Sequence, residues 1–199
     1  AEENSATNEE GRIWLDIVNA NGLNVRTLVA YVEGATNERD RLFDAFTDNK
    51  TDLNLYSNVE NEHMIIQGRR LPFEQNDQVP MGIKVAQDGT YTITIAAVEG
   101  LFSNASQTIY IEDTQTNIIH DLRQSPYSFA ATTGNHANRF VLRYTNETLG
   151  TNDLILDEAS IWVFSAHNLT VKSSKNEIQS VRVFDLLGRA LAHYPNANS

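Results

Sequence analysis

The stretch MGIKVAQDGTYTITIAA, Met81–Ala97, decides the fold class. In its second half Tyr91, Ile93 and Ile95 fall on one side of an extended chain, and Thr92, Thr94 and Ala96 fall on the other. That is the period of a strand with one buried face. Gln87-Asp88-Gly89 supplies turn chemistry between this run and Met81–Val85, so the pair reads as a β-hairpin. The same alternation recurs upstream, where Ile13, Leu15 and Ile17 alternate with Trp14, Asp16 and Val18 before the turn composition Asn19-Ala20-Asn21-Gly22. Val25–Val32, Leu53–Tyr56 and His63–Gln67 predict further strands, and Gln107–Glu112, Asn117–His120, Tyr127–Ala131 and Asn138–Thr145 predict four more downstream. Asn37–Phe46 alone reads as a helix, a short one, with Leu42, Phe43 and Phe46 on one face. Short strands spaced by roughly 8–12 residues with turn-rich joints predict an all-β chain, an antiparallel β-sandwich or jelly roll.

Composition bounds what such a chain does. With 199 residues there is room for one sandwich-sized domain and a small second one. The sandwich is placed at residues 11–145, after a polar, acidic linker at 1–10 that reads as a cut within a longer chain. NETLGTNDLILDE, Asn146–Glu158, is the second linker, and residues 159–199 form the second domain. A net charge of −11 excludes nonspecific nucleic-acid binding, which needs clustered Lys and Arg to displace phosphate counterions. Without Cys there are no disulfides, thiolate zinc sites or Cys nucleophile. No apolar run approaches the roughly 18 residues of a membrane-spanning helix, so no transmembrane segment is expected.

Near the C-terminus, Val181–Arg189 reads VRVFDLLGR. Val181 and Val183 share one face of an extended segment, Arg182 and Phe184 the other, and Leu187-Gly188-Arg189 supplies a turn into a second strand at Ala190–Tyr194. Together with Ile161, Trp162 and Phe164 in one strand and Asn168–Val171 in another, this segment resembles the type A C-terminal sorting domain of proteins exported by the type IX secretion system of Bacteroidota. The resemblance singles out Val181, Val183, Phe184, Asp185, Leu187, Gly188 and Arg189 as sorting-motif residues. A Gly-x-Tyr strand and a basic terminal strand, which follow in that family, do not follow here, so the resemblance is to a partial Ig-like β-sandwich sorting domain. Val171, Val181, Val183 and Leu191 are then expected to be covered by the first domain, another chain or strands outside this sequence.

The first domain carries its own resemblance. Arg12–Leu15, Gly34–Thr36, Leu55–Ser57, Ile66–Arg69, Gly89–Ile93, Gly100–Phe102, Ile109–Asp113, His120–Leu122, Tyr127–Phe129 and Asn138–Leu142 succeed one another as in the β-sandwich region that precedes type A sorting domains in large flavobacterial surface proteins. The two resemblances imply a non-catalytic region of a secreted or cell-surface, outer-membrane-attached cargo protein. They imply as partners the type IX translocon and its outer-membrane shuttle barrel. An adhesin or carbohydrate-binding module that meets a surface glycan is the alternative, and a hydrolase fragment with its catalytic part upstream is the third class.

The residues themselves offer little for catalysis. There is no Gly-x-Ser-x-Gly elbow, His-Glu-x-x-His motif or phosphate-binding Gly-rich loop. His120 and Asp121 are successive strand residues and point to opposite faces. His136, in the loop Gly134–Asn138, is expected to face solvent. Asp40, Asp44 and Asp48, with Asn49 and Asp52 nearby, are the candidate calcium ligands, against a reading as surface and capping residues beside Arg39 and Arg41. No organic cofactor is expected. Trp14, Tyr31, Tyr56, Tyr110 and Trp162 are candidates for a sugar-stacking platform, against a reading as sandwich core. Arg69-Arg70 is a candidate for holding a carboxylate, against a reading beside Pro72 as surface or as a strand-end ion pair, and Arg139 is expected to pair with a carboxylate such as Asp113 or Asp121.

Overall fold

The computed structural model describes residues 7–48, 50–146, 161–165, 169–173, 178, 180–185 and 189–195. The chain divides into two units, Ala1–Asn146 and Glu147–Ser199.

The first unit is one sheet of eleven strands that folds over on itself. In one half, β1 (Gly11–Asn19) lies between β2 (Asn24–Tyr31) and β7 (Gly89–Gly100), and β10 (Tyr127–Ala131) adds to the far side of β7. The other half runs β4 (Leu53–Val59), β6 (Gln78–Val85), β11 (Gly134–Arg143), β8 (Tyr110–Asp113) and β9 (Ile118–Asp121). All these pairings are antiparallel. The corner is made by β5 (Glu62–Arg69), whose first residues pair antiparallel with Ser57–Val59 and whose last four run parallel to Leu28–Tyr31. A short β3 (Ala45–Phe46) also pairs with β5. Opposite this corner the sheet nearly closes: β9 and β10 are its two end strands, yet only residues 122–126 separate them. Side chains bridge that gap, with Tyr127 Oη donating to Asp113 Oδ2 at 3.1 Å and Arg139 Nη1 donating to the Ala130 carbonyl at 2.9 Å.

The interior follows from the alternation. Ile13, Leu15 and Ile17 of β1, Leu53 and Leu55 of β4, and Val79, Met81, Ile83 and Val85 of β6 are buried to within 1%. Each contributes about 1.5–3 kcal/mol by leaving water. Along β7, the register slips between Trp14 and Leu15, whose partners are Ala97 and Ile95. Ala96 is thus bulged out, and the core-facing phase passes from Ile95 to Val98, both of which pack on the core. At one end Tyr31, Phe73, Phe102 and Tyr144 form an aromatic cluster, with Tyr31 edge-on to Phe73 at 4.9 Å and Phe102 stacked on Tyr144 at 5.4 Å.

Two expectations are corrected. Met81–Ala97 is no hairpin, because β6 pairs with β4 and β11 whereas β7 pairs with β1 and β10. Both strands have both edges occupied, so Gln87–Gly89 is a crossover between the halves of the sheet. It is pinned by Tyr91 Oη donating to the Gln87 carbonyl at 2.6 Å and by the Thr133 amide donating to Asp88 Oδ1 at 2.7 Å. Asn37–Phe46 is no helix: it forms turns and then β3. Its carboxylates take the amides a helix would use, since Asp40 N–H donates to Asp44 Oδ2 at 2.6 Å and Leu42 N–H donates to Asp40 Oδ1 at 3.0 Å. The supposed apolar face dissolves with it, leaving Leu42 87% exposed while Phe43 lies over Gly68, where a Cβ would meet it at 2.4 Å.

In the second unit β12 (Ile161–Ser165) pairs antiparallel with β13 (Leu169–Ser173), Val163 opposite Val171. β14 (Ser180–Phe184) pairs antiparallel with β15 (Ala190–Pro195), Val181 opposite Tyr194 and Val183 opposite Ala192. The chain is all-β, as its alternation predicts.

Candidate functional site

The VRVFDLLGR segment forms the hairpin β14–β15, and its mouth is closed by two residues of the motif. Asp185 N–H donates to the Arg189 carbonyl at 2.9 Å, Arg189 N–H returns a bond to Asp185 Oδ1 at 2.9 Å, and Arg189 Nε donates to Asp185 Oδ2 at 2.6 Å. A bulge follows, with Phe184 opposite Ala190 and Val183 opposite Ala192, so Leu191 has no cross-strand partner. Val181 and Val183 are half-buried, whereas Phe184, Leu191 and Tyr194 are 54%, 66% and 60% exposed. Leu187 and Gly188 lie outside the described residues.

Two charged pairs of the first unit are internal, Arg139–Asp113 and Arg69–Asp77. Arg139 reaches Asp113, with Nη2 2.8 Å from Oδ2 and Nε 3.2 Å from Oδ1, and its guanidinium lies 4.7 Å from the Phe129 ring centre and 5.1 Å from that of Phe140. Burial works to raise the Asp113 carboxyl, but the Arg139 hydrogen bonds and charge outweigh it and hold its pKa below the usual value. Asp121 takes no part, accepting instead from Arg123 N–H at 2.8 Å and Gln124 Nε2 at 3.0 Å. Arg69 grips Asp77 through Nε at 2.7 Å and Nη2 at 2.5 Å, and Asp77 also accepts the Tyr31 hydroxyl at 2.7 Å. Burial opposes the Arg69 charge, yet the Asp77 hydrogen bond prevails and its pKa is raised. Burial also drives the Tyr31 and Tyr144 phenols, 3.0 Å apart, above their usual range. Arg70 pairs at the surface with Glu74 at 3.1 Å. The Arg139–Asp113 and Arg69–Asp77 pairs tie elements of the fold together.

The calcium candidates are already engaged. Asp44 accepts the Gly68 amide at 3.0 Å in addition to that of Asp40, and Asp48 pairs with Lys50 at 2.7 Å. Asn49 lies outside the described residues. Among the described residues no three His, Cys, Asp or Glu side chains gather as a metal-binding group. His120 and Asp121 do not form an acid–base pair, because His120 Nε2 lies 2.8 Å from the Ser125 carbonyl. His136 is half-buried, with Nε2 2.7 Å from the Thr132 carbonyl. Of the aromatic candidates, Tyr31 and Tyr56 are core, Trp14 and Tyr110 are half-buried in strands, and the Trp162 side chain lies outside the described residues.

What remains open is a polar groove of about 360 Å³ on the first unit. Asn58, Glu60, Asn61 and His63 of the β4–β5 hairpin line one wall, Ala137 and Asn138 of β11 the other, with Pro80 of β6 between them. Proline explains the opening. The β4–β6 ladder stops at Ser57 opposite Met81, and the next β6 residue is Pro80, which has no N–H to extend it. The β4–β5 tip is thereby free to leave β6, turning through Glu60 and Asn61 at φ 51° and 67°. In β11, His136 pairs with Ile83 and Phe140 with Met81, so Ala137, Asn138 and Arg139 stand opposite Gly82 alone. This bulge raises Asn138, at φ 60°, into the second wall, and Asn58 Nδ2 crosses to Asn138 Oδ1 at 2.9 Å.

Behind the groove Tyr56 lies flat over Gly82, where a Cβ would come within 2.6 Å of its ring, and its hydroxyl bonds Asn135. Burial pushes the Tyr56 phenol up to about 12, against the Asn135 bond. The His63 ring stacks on Tyr56 at 4.0 Å and 20°, and burial lowers its pKa.

Residues 1–144 match the model of a domain of unknown function, DUF8693. The chain belongs to the DUF8693 family. Residues 149–199 match the model of a second domain of unknown function, DUF8694. Neither a curated protein nor a solved structure matches the chain.

In the DUF8693 region the groove residues went unmarked by sequence reasoning. Pro80 within a run otherwise readable as strand was the one available signal, since proline is excluded from a fully paired central strand. A second surface hollow of about 500 Å³ carries the exposed Phe46 beside Thr47, Asp48 and Thr51. One face of that ring is taken by Arg39, whose guanidinium carbon stands 4.8 Å from its centre.

Proposed function

We propose that this chain is a non-catalytic region of an exported surface protein, in which the DUF8693 unit is a rigid spacer or presentation module and the DUF8694 unit is a type IX sorting signal. The observation that carries the reading is the VRVFDLLGR hairpin, its mouth clamped by Asp185 and Arg189 while Phe184, Leu191 and Tyr194 stay exposed. A two-stranded hairpin is marginal by itself, and large apolar side chains kept outward on it suit recognition by another protein. The acidic balance of −11 suits a solvated secreted surface. The two buried charged pairs of the first unit, Arg69–Asp77 and Arg139–Asp113, support a structural role, because they are spent on the interior.

The test is a reporter fused to the native coding region from Gly11 to the stop codon, expressed in a type IX-competent bacterium. Surface exposure is expected with an intact translocon and periplasmic retention in a translocon-deficient strain. Retention in both strains, or release from both, overturns the proposal.

A further inference from the structure

We infer that the groove between the β4–β5 tip and the β11 bulge is a binding site for a neutral saccharide. The chemistry of its lining selects the ligand class. Asn58, Asn61 and Asn138 each bring an amide donor and acceptor. Sugar hydroxyls are also donor and acceptor at once, so this set matches them without charge. Among the described residues that line the groove there is no Lys or Arg, whereas Glu60 stands in one wall, so phosphates and carboxylates are disfavoured. Pro80 and Ala137 add apolar surface for the C–H face of a pyranose, and His63, backed by Tyr56, adds a flat ring. A volume of about 360 Å³ lies at the small end of ligand sites, roughly 300–1,000 Å³, and suits one or two sugar units.

The walls are also fixed in advance. Thr114, the residue after β8, holds the bulge, its amide and hydroxyl each donating to the Arg139 carbonyl at 2.9 Å. Arg139 is itself locked to Asp113 beneath. The Asn58–Asn138 bond shows that the two walls stand within one hydrogen bond of each other at one point, so a hydroxyl there can take over either amide. Preorganisation of this kind lowers the ordering cost of a weak ligand.

The test uses the full chain, labelled with ¹⁵N, and titrates cellobiose, maltose and lactose to about 20 mM, above a weak millimolar Kd. At least one is expected to shift the side-chain amides of Asn58, Asn61 and Asn138 together. The double variant Asn61→Gly/Asn138→Gly removes two amides at positions whose positive φ glycine adopts freely, and weakens binding at least about tenfold. Ala137→Arg, an exposed position, fills the groove and has the same effect. The inference is overturned if no disaccharide shifts these amides, if the shifts centre on the Phe46 hollow, if galacturonate binds as tightly at the same residues, or if both variants bind as the parent does.

Discussion

Two aspartate–arginine clamps in this chain have the same chemistry and opposite surroundings. Asp113 and Arg139 have side chains 0% and 6% exposed, between the Phe129 and Phe140 rings, whereas Asp185 and Arg189 are 19% and 75% exposed at a hairpin mouth. Each carboxylate takes two bonds from its arginine, both from the guanidinium in the interior pair, and one from Nε and one from the backbone amide at the hairpin mouth. Burial therefore decides what each pair is for. The interior pair costs desolvation to form and is ruinous to break, which fixes the fold; the exposed pair is screened and adaptable, which suits a surface read by a partner.

The sharpest way to break this comparison is to remove one partner of the interior pair. Asp113→Ala leaves the Arg139 guanidinium buried without its anion and is expected to cost about 3–5 kcal/mol in urea unfolding. An Asp113→Leu/Arg139→Met double variant should recover much of that, because an apolar pair of similar size avoids the stranded charge. A single variant that unfolds like the parent would show that the pair is not what fixes this end of the sheet.

Acid and base probe the same interior. Asp113 and Asp16 have lowered pKa values, the latter through its hydrogen bond from Arg26, so their stabilisation is complete above the unfolded value near 3.8 and is lost as pH falls through the folded values. Tyr31, Tyr56 and Tyr144 have raised values, so theirs is complete below the unfolded value of 10.0 and is lost as pH climbs past it, with Tyr56 ionising at about 12. Melting temperatures followed by circular dichroism should form a plateau from about pH 7 up to 10, with a shallow decline below 6.5 where the unfolded His63 imidazole takes up a proton more readily than the half-buried one, and a steeper loss near and below 3.8. A steep loss between about pH 7 and 9 would point to other groups as the determinants.

How much of this was legible in sequence depends on how local each feature is. Strand positions were legible because period-2 alternation is local, and so was the need of Arg139, before Phe140-Val141-Leu142, for a carboxylate, narrowed to Asp113 or Asp121; only the structure chooses Asp113. The β6–β7 crossover was not legible: Gln87-Asp88-Gly89 has hairpin chemistry, and only the occupied edges of both strands rule a hairpin out. Asn37–Phe46 has helical spacing, but Asp40 and Asp44 capture its amides and Gly68 accepts Phe43, a partner twenty-five positions along the chain. The groove depends on a ladder ending at Pro80 and a bulge in β11, and neither has a period to read.

Gly82 tests the packing behind that groove with an intermediate effect. Gly82→Ala sets a methyl within 2.6 Å of the Tyr56 ring, which is hemmed in by His63 and Asn135, and overpacking of this kind costs about 1–3 kcal/mol. The stacked pair must also tilt, so the His63 C–H resonances should shift. A variant of parental stability with unmoved His63 signals would mean that Tyr56 is less confined than its surroundings suggest.

The smallest stability effect belongs to the exposed clamp, and it is the most telling for function. Asp185→Ala removes the acceptor of two Arg189 bonds at an exposed mouth, for which about 0–1 kcal/mol is expected, with no resolvable change in the melting of the first unit. On the proposed function the same change should nevertheless reduce surface display of the fused reporter severalfold, because a sorting signal is read by shape and the mouth sets the register of Phe184 and Leu191. Asp185→Asn, which keeps an acceptor for the Arg189 amide, should fall between the two. Parental display by Asp185→Ala would separate the hairpin from sorting, and a loss of several kcal/mol would erase the contrast between the two clamps.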